Sequence, residues 1–305
     1  MTQERNPTEA ELEELFVELR NWGKWGPDDQ LGALNYLTPA KIAEAGSLVR
    51  AGRTISVAQP LSTKASADNP LPVTHLMCQV SDLEMTADYF TIYNHGMAMT
   101  HIDALCHMHR KGKMYNGYSL TDEVKSEGAR VCSIDALKNG VITKGVLLDI
   151  PRLKGVRWLE PKAAIYPEDL EAAEARQKVR VGPGDALLVR TGRGGRNQEL
   201  GGGDAVGEGL AGLHTSCLRW LSERKIALMG SDGVSDLIPS GHATMPFPIH
   251  TISIVAIGIH LIDNCDFEEL ANACESMARA EFMFALAPLI LKGGTGSPVN
   301  PLAVL

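Results

Sequence analysis

Four of the nine histidines, His95, His101, His107 and His109, fall within fifteen residues. They lie in the stretch Asn94-His95-Gly96-Met97-Ala98-Met99-Thr100-His101-Ile102-Asp103-Ala104-Leu105-Cys106-His107-Met108-His109. Imidazole nitrogen and carboxylate oxygen in this density are a donor set for Zn²⁺, Mn²⁺ or Fe²⁺ rather than Ca²⁺. His101 and Asp103 are two apart, so an extended segment points both side chains the same way. If instead a helix starts just after Ile102, Asp103 and His107 share one face at i,i+4. Either geometry lets two imidazoles and a carboxylate converge on a volume the size of a metal ion, leaving a coordination position for water. The competing reading is surface or hydrogen-bonded core histidine, which suits a lone histidine better than four beside an aspartate.

A further ligand must come from elsewhere. His250 follows Pro246-Phe247-Pro248-Ile249, where a proline-rich loop could hold it rigidly, as a ligand or as a buried structural histidine. His260 and Asp263 follow on the same segment. Asp232, in Gly230-Ser231-Asp232-Gly233-Val234-Ser235-Asp236, is either the carboxylate that orients a ligand histidine or a turn former. In Arg190-Thr191-Gly192-Arg193, at a strand end, either arginine could hold a substrate carboxylate. Trp22, Trp25 and Tyr115 could form an aromatic wall for a cyclic substrate or pack in the core. The chain has no GxSxG elbow, GxxxxGK[ST] loop or HExxH pair, and Gly192-Arg193-Gly194-Gly195 lacks dinucleotide spacing.

These residues need elements to place them. Thr8–Arg20 reads as a helix, capped by Thr8 with Glu11 three residues on, and a second helix starts near Pro39 behind Thr38. From Arg53 to Ile92 the texture is β-like. Gly145–Ile150, Asp185–Thr191 and Ile226–Ser231 read as buried strands. Pro167–Arg176, His214–Arg224 and Asp266–Ala280 read as helices. Gly192–Gly207 is expected to be a mobile surface loop and Gly293–Leu305 an irregular tail. The pattern is α/β, with mixed sheets flanked by helices: a helical N-terminal extension over residues 1–52 packs on a domain over 53–305.

Composition narrows the function classes. With 305 residues, 44% hydrophobic and 22% charged, the chain is an ordinary globular one. Its net charge of −8 and lack of a basic stripe argue against a nucleic-acid partner. The longest apolar run, Phe282 to Leu291, is far short of the roughly 20 residues that span a bilayer. The polar, acidic start carries no secretory signal pattern, and six scattered cysteines without a CxxC pair read as reduced thiols, so a cytoplasmic location is expected.

The core Thr100-His101-Ile102-Asp103-Ala104, with His107 four residues after the aspartate, resembles the signature of the metal-dependent cyclase hydrolase family. That family includes bacterial kynurenine formamidase and isatin hydrolase. Gly184–Gly192, Leu221–Asp236 and His250 with Gly258–Asp263 resemble its later segments. Trp25–Gly32 and the Gly-Thr-Gly-Ser-Pro stretch near the end resemble a longer branch. The resemblance implies a swivelling β/β/α fold and one or two divalent ions, Zn or Mn, that activate water to open an amide, imide or lactone of a small molecule. A homodimer or homotetramer is implied as well. By the same resemblance His101, Asp103 and His250 are metal ligands, His107 is the proton-transfer residue, and His95 and Asp263 are further candidates. One departure stands out: the family's histidine four residues before His101 is here Met97, a poor ligand for a hard divalent ion.

Overall fold

The computed structural model describes residues 5–205 and 207–305. Helix α1 (Glu9–Glu18) opens on a capping box: Thr8 Oγ1 accepts from the Glu11 N–H, and the Glu11 carboxylate accepts from the Thr8 N–H. Its Leu12, Leu15 and Phe16 enter the core. Helix α2 (Pro39–Ser47) starts at proline behind Thr38, whose side chain accepts from the Lys41 N–H.

Eleven strands follow: β1 (Thr54–Ser56), β2 (Thr74–Val80), β3 (Met85–Thr91), β4 (His101–Asp103), β5 (Val141–Asp149), β6 (Ala186–Arg190), β7 (Leu228–Ser231), β8 (His260–Asp263), β9 (Glu281–Leu286), β10 (Gly296–Pro298) and β11 (Leu302–Val304). Four further two-residue strands complete the β content of the described residues. Nine of these strands form one sheet in the order β1-β11-β9-β5-β6-β7-β8-β4-β10. Its centre, β5 to β8, is parallel, and its flanks are antiparallel. Parallel strands need crossovers. Helices α3 (Ile150–Lys154), α4 (Pro167–Gln177), α5 (Arg193–Leu200) and α6 (Cys217–Arg224) lie in those crossovers, and α7 (Glu268–Met277) precedes β9. Leu147, Leu148, Leu187, Leu188, Phe282 and Phe284 are buried at the sheet centre. The mixed α/β fold is as the sequence predicts.

Two expectations are corrected. Of the glycine-rich stretch expected to be a mobile loop over Gly192–Gly207, residues 201–204 are irregular and residue 206 lies outside the described residues, but the first half is helix α5, Arg193–Leu200. Arg193 anchors it, donating to Asn264 Oδ1 at 3.0 Å and to the Met97 carbonyl at 2.8 Å, while Gly194 and Gly195 let the helix approach the Glu268 side chain. Tertiary contacts override weak propensity here. The stretch after Gly293 is no irregular tail either: it supplies β10 and β11 to the main sheet.

The N-terminal segment braces what comes before β8. Trp22 Nε1 donates to the Val255 carbonyl at 2.7 Å and the Asn21 N–H to the Ala256 carbonyl at 3.1 Å. Both carbonyls belong to a fully buried π-helical segment, Thr251–Ile257, that starts just after His250. Gly32 and Gly258 meet backbone to backbone, both at positive φ, where a Cβ on Gly32 would lie 2.3 Å from the Gly258 oxygen. Strands β2 and β3 form a separate ribbon. Among the described residues no helix is long and apolar enough to cross a membrane.

Candidate metal centre

The extended alternative holds for the histidine motif: His101 to Asp103 is strand β4, and a turn rather than a helix follows it. Antiparallel pairing sets Asp263 of β8 opposite His101, and paired side chains share a face. Asp103, two residues on, points the same way. On the other side of β4, Gly296 of β10 lies opposite Asp103. A Cβ there would sit 2.6 Å from the Ile102 carbonyl and 2.8 Å from His95 Cε1, so the glycine leaves room for the His95 ring.

That ring arrives from the loop before β4, at φ 63°. Its Nδ1 lies 2.8 Å from Asp103 Oδ1 and its Nε2 2.9 Å from Thr295 Oγ1. His101 Nδ1 donates to the Met99 carbonyl at 2.9 Å. A carbonyl only accepts, so the His101 Nε2 lone pair is left facing Asp103 Oδ1, 3.6 Å away. His250 is held by Asp236, whose carboxylate accepts from the Ile249 N–H at 2.7 Å, the His250 N–H at 3.1 Å and His250 Nδ1 at 2.5 Å. The other nitrogen, Nε2, lies 3.1 Å from Asp263 Oδ2 and 3.5 Å from Asp103 Oδ2.

Two carboxylate oxygens of these residues, Asp103 Oδ2 and Asp263 Oδ1, are buried and accept no hydrogen bond. Unsatisfied buried carboxylate oxygens cost folding free energy unless a cation meets them. The donor atoms fall into two sets, His95-His101-Asp103 and Asp103-His250-Asp263, each within 4.8 Å, and Asp103 belongs to both. Nitrogen and oxygen donors so arranged could hold one divalent ion or two. Burial pushes the Asp103 pKa up, but the imidazoles of His107, His250, His95 and His101 outweigh it and hold the carboxyl well below the usual range. Burial also disfavours the cation at His250, yet Asp263, Asp103 and Asp236 together raise its pKa well above the usual imidazole value.

His107 stands just outside both sets, its Nε2 4.0 Å from Asp103 Oδ2 and its ring stacked on His95 at 3.7 Å between centroids. Burial lowers its pKa to about 4 against the pull of Asp103, with His95, His250 and His101 lowering it further. It is therefore a neutral imidazole at neutral pH, with a ring nitrogen open as a hydrogen-bond acceptor.

Other candidates lie elsewhere. Met97 turns its side chain toward Leu210, Val234 and Ile238, and His95 stands beside Asp103 instead. Asp232 accepts from the Thr191 N–H and hydroxyl and from the Gly192 N–H. It orients a loop, and Asp236 rather than Asp232 orients the histidine. Arg190 is buried between Asp149 and Glu268, ion-paired to both at 2.9 and 2.7 Å, which accounts for its guanidinium without a substrate. Tyr115 is buried with its hydroxyl on Asp29, and Trp22 and Trp25 pack against Phe16 and Tyr36. The hollow that opens beside His95, about 200 Å³, is instead lined by Pro60, Leu71, Val73, Tyr93, Met97 and Met99, with Asp68 and Asn69. Sequence reasoning also missed Thr295 and Asn264, whose Nδ2 donates to the Gly96 and Met99 carbonyls and pins the His95 loop. Nothing local marks these residues; only the β4–β8 and β4–β10 pairings bring them in.

Comparison with known proteins gives a consistent result. The sequence profile of a family described as putative cyclase matches residues 40–235. Isatin hydrolase from Roseibium aggregatum is 29% identical over 212 residues, covering 68% of this chain and 70% of that protein. A crystal structure described as a novel cyclase is 32% identical, with a TM-score of 0.84 over 95% of this chain and 99% of that one. An isatin hydrolase bound to the product analogue thioisatinate superposes with a TM-score of 0.61 over 87% of this chain and 95% of that one, at 19% identity.

Proposed function

The chain belongs to the cyclase family, and on that footing we propose that it is a metal-dependent hydrolase that opens a small cyclic or aryl amide, imide or lactone. The observation that carries this reading is the convergence of two donor sets, His95-His101-Asp103 and Asp103-His250-Asp263, on Asp103, whose buried Oδ2 accepts no hydrogen bond. The named relative, an isatin hydrolase, supports the choice of a cyclic amide.

Asp103, His101 and His250 would hold the ion, with Asp263 and His95 completing the set for one ion or two, Zn or Mn. A divalent ion so held polarises a carbonyl and acidifies water. The protein's own contribution is arrangement. The Met99 carbonyl and the Asp236 carboxylate occupy the Nδ1 nitrogens of His101 and His250 and so present the Nε2 lone pairs to the centre. Thr295 does the corresponding work at the far nitrogen of His95. His107, kept neutral by burial, takes the proton from the attacking water and returns it to the departing nitrogen or oxygen. Tyr93, Leu71 and Met97 give the hollow an apolar wall against which a ring can lie.

The test is elemental analysis of the purified chain after resupply of Zn²⁺ or Mn²⁺, joined to turnover of a panel of cyclic imides and lactones in ¹⁸O-water. About one equivalent of metal or more, with solvent oxygen in the product, is expected. Less than roughly a tenth of an equivalent, or a product without solvent oxygen, would falsify the reading.

A further inference from the structure

The space between the ends of α4 and α7 differs in charge from the rest of this acidic chain. A cavity of about 300 Å³ opens there beside the C-terminal end of β5. It shares no residue with the two donor sets or with the hollow beside His95. Leu147, Ala271 and Ala280 give it an apolar part, and around them stand Asp149, Arg152, Arg176, Lys178, Glu275 and Arg279. Four of these six are cations, in a chain whose net charge is −8. Not all are free. Arg152 pairs with Asp149 at 3.2 Å and donates to Asn272 Oδ1 at 2.6 Å. Asp149 pairs on its other side with Arg190, which continues to Glu268, so this run of two acids and two arginines is neutral. Arg176, Lys178 and Arg279 remain, none in an ion pair among the described residues, with Glu275 as the one acid to set against them.

Helix ends account for part of that surplus. α4 stops at Gln177 and α7 at Met277, and each C-terminus carries about half a negative charge. Together with Glu275 they offset about two of the three cations, and Glu275 is exposed enough to swing into water. Arg279 shows the deficit atom by atom. Its Nη1 donates to the Leu48 carbonyl at 3.1 Å, but Nε and Nη2 are buried and meet no acceptor. Buried donors are normally paired, so the missing acceptor is one that the protein itself does not supply.

We infer that this cavity binds a small organic anion, a short carbon skeleton carrying two negative charges as a phosphate monoester or a dicarboxylate. Arginine meets either group with parallel N–H donors, and lysine adds a point charge. Arg176 and Lys178 stand exposed at the rim, where they can close on the anion, and Arg279, held by one carbonyl, turns its free donors toward it. The skeleton lies on Leu147, Ala271 and Ala280. The volume is at the small end of the range for ligand pockets, which keeps that skeleton short.

Isothermal titration calorimetry of the full chain with glycerol 3-phosphate and with succinate, neither a strong metal chelator, tests the inference. At least one of them should bind at a single site per chain with a Kd below ~1 mM at ~0.1 M salt. The tighter of the two identifies the charged group that the site prefers. Arg176→Ala combined with Lys178→Ala removes two exposed side chains, so the fold should survive, and thermal melts check that it does. The double substitution should weaken binding at least ~10-fold, and Arg279→Gln should do the same. Lys138→Ala, an exposed cation outside the cavity, should leave it unchanged. No binding by either anion with a Kd below ~1 mM, binding indifferent to the double substitution, or equal weakening by Lys138→Ala would each overturn the inference.

Discussion

Asp236 grips His250 three times, through the Ile249 N–H, the His250 N–H and the ring Nδ1, so one carboxylate sets both the backbone and the imidazole of a candidate ligand. Replacing Asp236 with Asn puts an amide donor where the ring nitrogen must donate, which turns the imidazole or reverses its tautomer. Metal affinity should fall about 10- to 100-fold, with a parallel loss of activity. Titration with a competing chelator measures it, and an affinity equal to the parent's would count against the orienting role.

His95 and Met97 make a contrasting pair. His95→Ala should strip the His95-His101-Asp103 set of a donor and lower metal content without a large change in melting temperature. Met97→Ala removes a half-buried thioether from beside Leu210, Val234 and Ile238 and should cost about 1–2 kcal/mol of stability while metal content stays at the parent level. Metal analysis and thermal melts of both variants decide; metal loss in the methionine variant alone would reverse the assignment.

Stability should fall on mild acidification, through His260. Burial lowers its pKa to about 4, with Asp103 and Asp29 opposing, whereas the unfolded chain takes up the proton near 6.5. Between those values the unfolded state binds more protons, so folding weakens as pH drops through the window. At pH 5 the contribution is about 2 kcal/mol. Urea unfolding with chelator present, at pH 7 and pH 5, should show His260→Gln gaining about that much on the parent as pH falls; parallel curves would refute the account.

Gly296→Ala should act on the site without removing a ligand, by crowding the ring of His95. The new methyl meets the Ile102 carbonyl at 2.6 Å and His95 Cε1 at 2.8 Å, so the ring must leave Asp103 or β10 must part from β4. A loss of about 1–3 kcal/mol in stability is expected, together with weaker metal retention. Stability and metal content both at the parent level would mean the strand absorbs the methyl freely.

Arg190→Met offers a control. The side chain leaves Asp149 and Glu268 without their shared cation, which should destabilise the fold by about 3 kcal/mol and leave KM unaltered. A raised KM with unchanged stability would restore Arg190 to the substrate.

What could be read from the sequence follows from how local each signal is. The capping box at Thr8, the proline start of α2 and the buried strands β5 and β6 are written in adjacent residues, and they stand where their patterns put them. The alternation of His101 and Asp103 likewise shows in two neighbouring positions. Helix α5 does not: its glycines argue for a loop, and only Arg193, Asn264 and Glu268 from distant segments make it a helix. Strands β10 and β11 carry too little hydrophobic pattern to be seen without their partners. Choosing Asp236 over Asp232 needs the three-dimensional path of the loop, since both are aspartates four residues apart after the same strand.

The pairing of β10 with β4 carries a consequence for synthesis. Thr295 and Gly296 buttress a donor cluster whose other members begin two hundred residues earlier, at His95. On the ribosome, a growing chain therefore exposes its imidazoles long before the strand that seats them has emerged. If the proposed ion binds, its capture and completion of the sheet are coupled, because a chain that stops short of β10 lacks both the Thr295 hydroxyl and the strand that seat His95.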